Sequence, residues 1–268
     1  MSDVEASRGA TIEIAGGPLA VLCLHGLTGS PYELRPLAER LGQAGYHVLV
    51  PRLVGHGLQP ESLAHTRWQD WLASARRAFD GLAQRHERVS IVGLSMGALL
   101  AVVIAHERGA RVGALALLST PLRLDLQTQL AFRVSRLLPF MDVMPFVEKS
   151  GGPDVSDAGV AAAMPSYDRV PLAAVSSIVE GQAAARERLP LLSMPVLVQH
   201  GRFDHTAPLH NAHRTFGLLR TPKRRLIVYP RSWHILPLDV EGETVAADVL
   251  DFLNRMTGGL SRAPEATA

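Results

Sequence analysis

A chain of 268 residues, 47% hydrophobic and 19% charged, can bury the core of one large α/β domain, or of one domain carrying an insertion. The formal net charge is only +2, and the densest basic clusters are Arg76-Arg77 and Lys223-Arg224-Arg225, so no nucleic-acid partner is expected. No stretch approaches the roughly 18 to 20 apolar residues of a membrane span, the first ten residues lack the apolar centre of a signal peptide, and the lone Cys23 cannot form an internal disulfide. A cytoplasmic protein with no integral membrane segment is expected.

Residues 1–10 are small and polar and read as a frayed tail. An edge strand at 11–14 and a strand at 19–24 follow. The segment 31–43 reads as a helix: Ser30 can cap it, Pro31 suits its first position, and Glu33 completes an S-x-x-E box. Next come a strand at 47–50, a helix at 66–83, a strand at 89–93, a helix at 96–107 and a strand at 112–118. After residue 192 the alternation resumes, with strands at 195–200 and 226–229 and helices at 208–219 and 242–256. Residues 258–268 form a second polar tail. The strands are continuous Val/Leu/Ile runs rather than alternating ones, which suits parallel strands covered on both faces. Strand–helix alternation predicts βαβ units and a mostly parallel, doubly wound α/β sheet.

The alternation breaks between about 121 and 192. This stretch shows helical patterns and no clear strand. Leu130, Val134, Leu137, Leu138 and Met141 share one helix face, and Val175, Ile178 and Val179 suggest another short helix. A helical insertion between two sheet strands predicts a cap over the C-terminal edge of the sheet, where ligands bind in open α/β folds. The 130–141 face serves equally as the inner face of that cap or as plain packing against the main domain.

The segment Gly93-Leu94-Ser95-Met96-Gly97 joins a buried strand to a helix. In that setting G-x-S-x-G is a nucleophile elbow: a tight turn that lifts a serine above the sheet at a helix N-terminus. A serine hydroxyl needs a general base, usually a His held by an acid, and on such folds the chain order is Ser, acid, His. Two later strand-end loops supply candidates. Asp204 lies in Gly201-Arg202-Phe203-Asp204, and His234 in Ser232-Trp233-His234. Asp204 follows Ser95 by 109 positions and His234 follows Asp204 by 30, which leaves room for the cap and for one crossover.

Other residues compete. Among the 11 His, His210 and His213 fall on the helix after Asp204 and read as solvated, and His47, His86 and His106 read as structural. His205 is on the acid's loop rather than the base's. The row His200, His205, His210 and His213 matches no common zinc spacing, so no metal is expected. Asp239 is an alternative acid, although a place beside the last helix's N-terminus suits it better. The oxyanion donors are expected to be the N–H of Met96, directly after the serine, and that of Leu27, in the loop His25-Gly26-Leu27-Thr28-Gly29-Ser30. In this loop His25 is expected to act as a brace.

These residues resemble the α/β-hydrolase superfamily, and within it the bacterial carboxylesterase and monoacylglycerol lipase group. The resemblance spans nearly the whole chain outside the cap and includes Pro51-Arg52-Leu53-Val54-Gly55-His56-Gly57 and Trp68-Gln69-Asp70-Trp71 besides the motifs above. It implies an α/β-hydrolase fold, Ser95, Asp204 and His234 as triad, and Leu27 and Met96 as oxyanion donors. It also implies a small-molecule ester of short to medium acyl chain as substrate, with monoacylglycerols among the candidates, and no cofactor. Leu27 stands where an aromatic residue is common in the group, and Trp233 where Gly is common. A thioesterase, acyltransferase or peptidase could use the same machinery, and a non-catalytic binding protein could keep the fold; an intact triad argues against the last. Oligomeric state is not legible.

Overall fold

A computed structural model describes residues 9–57, 59–123, 146–148, 152–164, 167 and 169–258. Strands β1 (Ile12–Ile14), β2 (Ala20–Leu24), β3 (His47–Val50), β4 (Val89–Leu94), β5 (Val112–Leu118), β8 (Val196–Gly201) and β9 (Arg224–Tyr229) form one sheet in the order β1-β3-β2-β4-β5-β8-β9. Every pairing is parallel except β1 with β3. This is the mostly parallel, doubly wound sheet that the strand–helix alternation predicts, in the α/β-hydrolase arrangement that the resemblance implies. β2, β4 and β5 are buried along their whole length, which is why they read as unbroken apolar runs. The strand period of two divides their side chains between two cores. Val21 and Cys23 face one, and Ala20, Leu22 and Leu24 face the other.

Helices α1 (Arg35–Gln43) and α8 (Gly242–Thr257) pack together over the Val21 side, and α3 (Trp68–Ala83) and α4 (Met96–Arg108) over the Leu22 side. In α4 every residue from Met96 to Ala105 is buried, because it lies between the sheet and other helices. The expected helix over 31–43 is two pieces: a 3-10 turn, Pro31–Leu34, and then α1. Pro36 explains the break, since it has no N–H to bond a carbonyl one turn back. A short α2 (Pro60–Ala64) falls where no helix was read. The last βα crossover carries α7 (His210–Leu218).

The stretch from 121 to 192 corrects one expectation. Its described residues include a small antiparallel ribbon of β6 (Phe146–Glu148) and β7 (Arg169–Pro171), with α5 (Ala158–Ala163) between them. Three-residue strands are too short to leave a period-two pattern. The proposed helix face Leu130, Val134, Leu137, Leu138 and Met141 lies outside the described residues. The short helix suggested by Val175, Ile178 and Val179 is the first half of α6 (Leu172–Arg188), 17 residues long. Its buried face is Ala174, Ser177, Ile178, Gly181, Gln182 and Ala185, at helical spacing but mostly small or polar, so apolar periodicity understates it. Val179 is exposed.

α6 is tied to the main body by polar contacts. Gln182 Nε2 donates to the Pro121 carbonyl at 2.8 Å, and Arg186 to that of Leu122 at 2.9 Å. Ser177 Oγ accepts the N–H of Trp68, the first residue of α3, at 2.6 Å. Arg67, at the N-cap of α3, has no side-chain oxygen, so α6 supplies the cap from outside. Ser177→Ala should therefore leave a buried donor unpaired and destabilise the protein by about 1–3 kcal/mol, measured by denaturant unfolding. A stability unchanged by this substitution would mean the contact contributes nothing.

Candidate active site

The strands that follow one another in the sheet all end at the same edge, and each sends a loop above it. Ser95 links β4 to α4 with φ 55° and ψ −119°, a strained conformation for a residue with a side chain. Only bare glycines fit around it. A Cβ on Gly97 would lie 2.0 Å from the Leu24 carbonyl oxygen, and one on Gly93 would lie 2.3 Å from that of Gly97. The strain is held by regular bonds on either side: Ser95 N–H to the Leu118 carbonyl and Ala98 N–H to the Ser95 carbonyl, each 2.9 Å.

The structure brings Ser95, His234 and Asp204 into one row. His234 Nε2 lies 2.9 Å from Ser95 Oγ, and His234 Nδ1 lies 2.8 Å from Asp204 Oδ2. An ionised carboxylate only accepts, so Nδ1 carries the proton and Nε2 accepts from the serine hydroxyl. All three residues are buried. Burial alone would push the Asp204 carboxyl up. The charge of His234 and hydrogen bonds from His200 and His234 overcome this and hold it well below the usual carboxylate range. Burial likewise opposes charge on His234, but Asp204, with Asp154 and Glu33 behind it, raises that pKa above 6.5.

Several holders of this row were not visible in the sequence. Asp204 Oδ1 accepts the Ala207 N–H at 2.6 Å, and His200 Nε2 stands 3.1 Å from Asp204 Oδ2 while donating to the Ala207 carbonyl at 2.6 Å. Ser119, at φ 47° just past β5, donates its hydroxyl to the His234 carbonyl at 2.7 Å. Asp239 accepts the Trp233 N–H at 2.6 Å and the N–H and hydroxyl of Ser156. Of these, His200 and Asp239 stand among the candidate residues of the sequence, though in other roles, and Ser119, Ser156 and Ala207 leave no signal there. Asp239 lies beside the N-terminus of α8, as expected, where its carbonyl accepts the Gly242 N–H at 2.7 Å, while its side chain clamps the Trp233 loop. His205 is exposed and bonded to Asp154, and His210 and His213 are exposed.

Leu27 and Met96 both line the cavity in front of Ser95. Met96 opens α4, so its N–H is one that a helix leaves without an intrahelical partner. Leu27 sits in a turn closed by the Gly29 N–H to the Gly26 carbonyl at 3.3 Å, and the next residue, Thr28, is forced to φ 63°. Glu33 accepts the Gly26 N–H at 3.1 Å. His25 donates from Nδ1 to the Gly26 carbonyl and accepts the Leu53 N–H on Nε2, and its ring meets that of His56 at 5.1 Å between centroids. Burial pushes His25 down to about 4 and His56 down to about 3, so both stay neutral.

Comparison with known proteins now decides the family. A family model described as serine aminopeptidase, S33, matches residues 18–241. The chain belongs to the serine aminopeptidase S33 family. It is similar to a thermostable monoacylglycerol lipase from Bacillus sp. (strain H-257), 28% identical over 244 residues that cover 90% of this chain and 93% of that one. It is also similar to a carboxylesterase from Bacillus subtilis (strain 168), 25% identical over 245 residues, 90% and 94% of the two chains. A solved structure from a study of LipS and LipT, two metagenome-derived lipolytic enzymes, superposes with a TM-score of 0.85 at 29% identity, covering 92% of this chain and 98% of its own. The resemblance to the carboxylesterase and monoacylglycerol lipase group thus holds across the S33 fold.

The raised pKa of His234 makes a prediction. Only the neutral ring can accept a proton, so Ser95-dependent turnover should fall as pH drops through a value above 6.5. Asp204→Asn removes the main raising influence, so its residual activity should lose the acid limb at lower pH. The pH profile of kcat/KM checks both; a wild-type limb at or below 6.5 would contradict the electrostatics described.

Proposed function

We propose that this protein is a serine hydrolase of carboxylic esters, with Ser95 as nucleophile, His234 as general base and acid, and Asp204 as the residue that orients the imidazole and stabilises its charge. The observation that carries the reading is the unbroken row of two hydrogen bonds, 2.8 and 2.9 Å, ending on a strained serine at the wall of a cavity of about 330 Å³. That volume lies at the low end of small-molecule sites. Val170, Val175 and Ile178 give it an apolar side, which suits an acyl chain of short to medium length. Monoacylglycerols are the substrate class suggested by the lipase relative's name.

In this reading His234 takes the proton of Ser95 as the hydroxyl oxygen attacks the ester carbonyl. The carbonyl oxygen becomes an anion held by the N–H groups of Leu27 and Met96, where preorganised donors strengthen in the transition state. His234 then passes its proton to the leaving alcohol. A water activated by the same ring hydrolyses the acyl-enzyme and returns Ser95. No step calls for a metal or cofactor. A cytoplasmic location belongs to the same proposal and suits the free, buried thiol of Cys23.

The family model's name raises an aminopeptidase as second reading. Such an enzyme must hold the substrate's α-ammonium. Asp154 lines the cavity, but its two carboxylate oxygens already take four donors from His205 and Thr206. That favours the ester. A panel of p-nitrophenyl esters, monoacylglycerols, acyl-thioesters and aminoacyl anilides separates the readings. Ester turnover should exceed anilide turnover, and the reverse order would favour the peptidase.

Three outcomes test the roles. Ser95→Ala should lose covalent labelling by a fluorophosphonate and nearly all esterase activity; retained turnover would end the serine mechanism. Leu27→Pro removes one oxyanion N–H and should lower kcat roughly 10²- to 10³-fold, with melting temperature as the control for loop damage. Enlarging the cavity wall by Val175→Phe or Ile178→Phe should shift preference toward shorter acyl chains. Each methylene is worth about 1–3 kcal/mol in such a pocket, so the shift should be graded along a chain-length series. An unchanged profile in both would remove this wall from the acyl site.

A further inference from the structure

The insertion does more than line the cavity. Residues 152–157 run as a strap from the insertion between the two loops that hold Asp204 and His234. Its centre is Asp154, whose side chain is 12% exposed. Asp154 Oδ2 accepts the His205 N–H at 3.1 Å, the Thr206 N–H at 2.9 Å and the Thr206 hydroxyl at 2.7 Å, while Oδ1 pairs with His205 Nδ1 at 2.9 Å. These residues directly follow Asp204. On the other side, the Asp154 carbonyl accepts the N–H groups of both His234 and Ile235 at 3.1 Å. Two residues on, Ser156 gives its N–H and hydroxyl to Asp239, which in turn holds Trp233 N–H. One residue therefore bonds the acid's loop through its side chain and the base's loop through its main chain.

The charge of Asp154 also lies close to the reacting row. Ligating atoms of Asp154, Asp204 and His234 fall within 4.8 Å of one another. We propose that Asp154 is a positioning residue: it fixes the distance between the Asp204 and His234 loops, and its carboxylate adds to the field that stabilises charge on the His234 ring. The proposal rests on the hydrolase reading above. Chemically it is a division of labour between two acids. Asp204 bonds the ring directly. The ring nitrogens bond Asp204 and Ser95, so Asp154, whose oxygens hold His205 and Thr206, acts through the backbone and through space.

The other ionisable groups facing His234 must be set beside it. Asp204 bonds the ring from the loop after β8, with His200 behind it. Glu33 lines the same cavity from the 3-10 turn before α1. Asp239 reaches the neighbouring Trp233 N–H from the far end of the base's own loop, and His205 bonds Asp154 itself. Both Glu33 and Asp154 raise the His234 pKa, with Asp154 the larger of the two.

The test is the pH dependence of kcat/KM, and of fluorophosphonate labelling at Ser95, in wild type, Asp154→Asn and Asp154→Glu. Labelling of wild-type Ser95 is the control for the underlying reading; if it fails, the serine mechanism is what has failed. With that control met, Asp154→Asn should keep KM within about twofold, lower kcat about tenfold or more, and move the acid limb down by roughly half to one pH unit, as expected for losing one nearby opposite charge. Asp154→Glu keeps the charge but displaces the clasp, so kcat should fall with the acid limb unmoved. A purely structural Asp154 would instead lower the melting temperature of Asp154→Asn and leave its acid limb and kcat at wild-type values, and that result overturns the proposal. Should Asp154→Asn not accumulate as folded protein, Asp154→Glu decides alone: a wild-type kcat there overturns it.

Discussion

The closest constraint in this molecule is steric. The elbow helix α4 starts so near strand β2 that no side-chain carbon can stand between Gly97 and the Leu24 carbonyl. That approach sets everything around it. It forces Ser95 into its positive-φ corner, and it brings the loop after β2, with Leu27 in it, alongside the serine. A second contact of the same kind lies across the sheet. At Gly201 a Cβ would come within 2.0 Å of the Trp233 carbonyl oxygen, so the end of β8 and the His234 loop also touch backbone to backbone. Two bare-backbone contacts, one on each side of the sheet's centre, thus bring four loops to one point.

Backbone proximity is not orientation, and the polar contacts supply the rest. His234 is fixed at its carbonyl by Ser119, at its N–H by Asp154, and one residue earlier by Asp239. Its ring is then steered by Asp204. Each of these bonds is buried or partly buried, where an unmade hydrogen bond would cost about 1–3 kcal/mol, so the arrangement is specified rather than merely permitted. The strained corners fit this picture. Ser95, Ser119 and Thr28 are the non-glycine residues at positive φ among the described residues, and they lie in the turns and loops that follow β4, β5 and β2. Such strain persists only where its surroundings over-determine it.

The insertion is joined to this centre at two places. α6 caps α3 and contributes Val175 and Ile178 to the cavity, and the strap at 152–157 ties the two loops on which the acid and the base sit. An element that reads as a cap over the sheet is therefore also part of the frame. The wall of the cavity and the geometry of the Ser95–His234–Asp204 row are physically linked, because one segment of chain contributes to both.

The order of elements, the elbow, and the Ser95, Asp204 and His234 that the structure brings into one row were legible in the residues. Their signals are local: buried parallel strands write unbroken Val/Leu/Ile runs, and a G-x-S-x-G turn writes its own steric requirement within five residues. His234 and Asp204 could be chosen because strand-end loops are short and offer few ionisable groups. What the sequence could not give were contacts between distant segments made by unremarkable residues. Ser119, Ser177 and Asp154 sit in no motif, and their partners lie 115, 109 and about 51 positions away. The long α6 was hidden for a related reason. It buries Ala, Ser, Gly and Gln against a close neighbour, so its packing demanded small size rather than hydrophobicity, and no periodicity of apolar residues records it. Local sequence determined which groups could react; only the tertiary fold decided which other groups would hold them still, since that depends on which backbones meet.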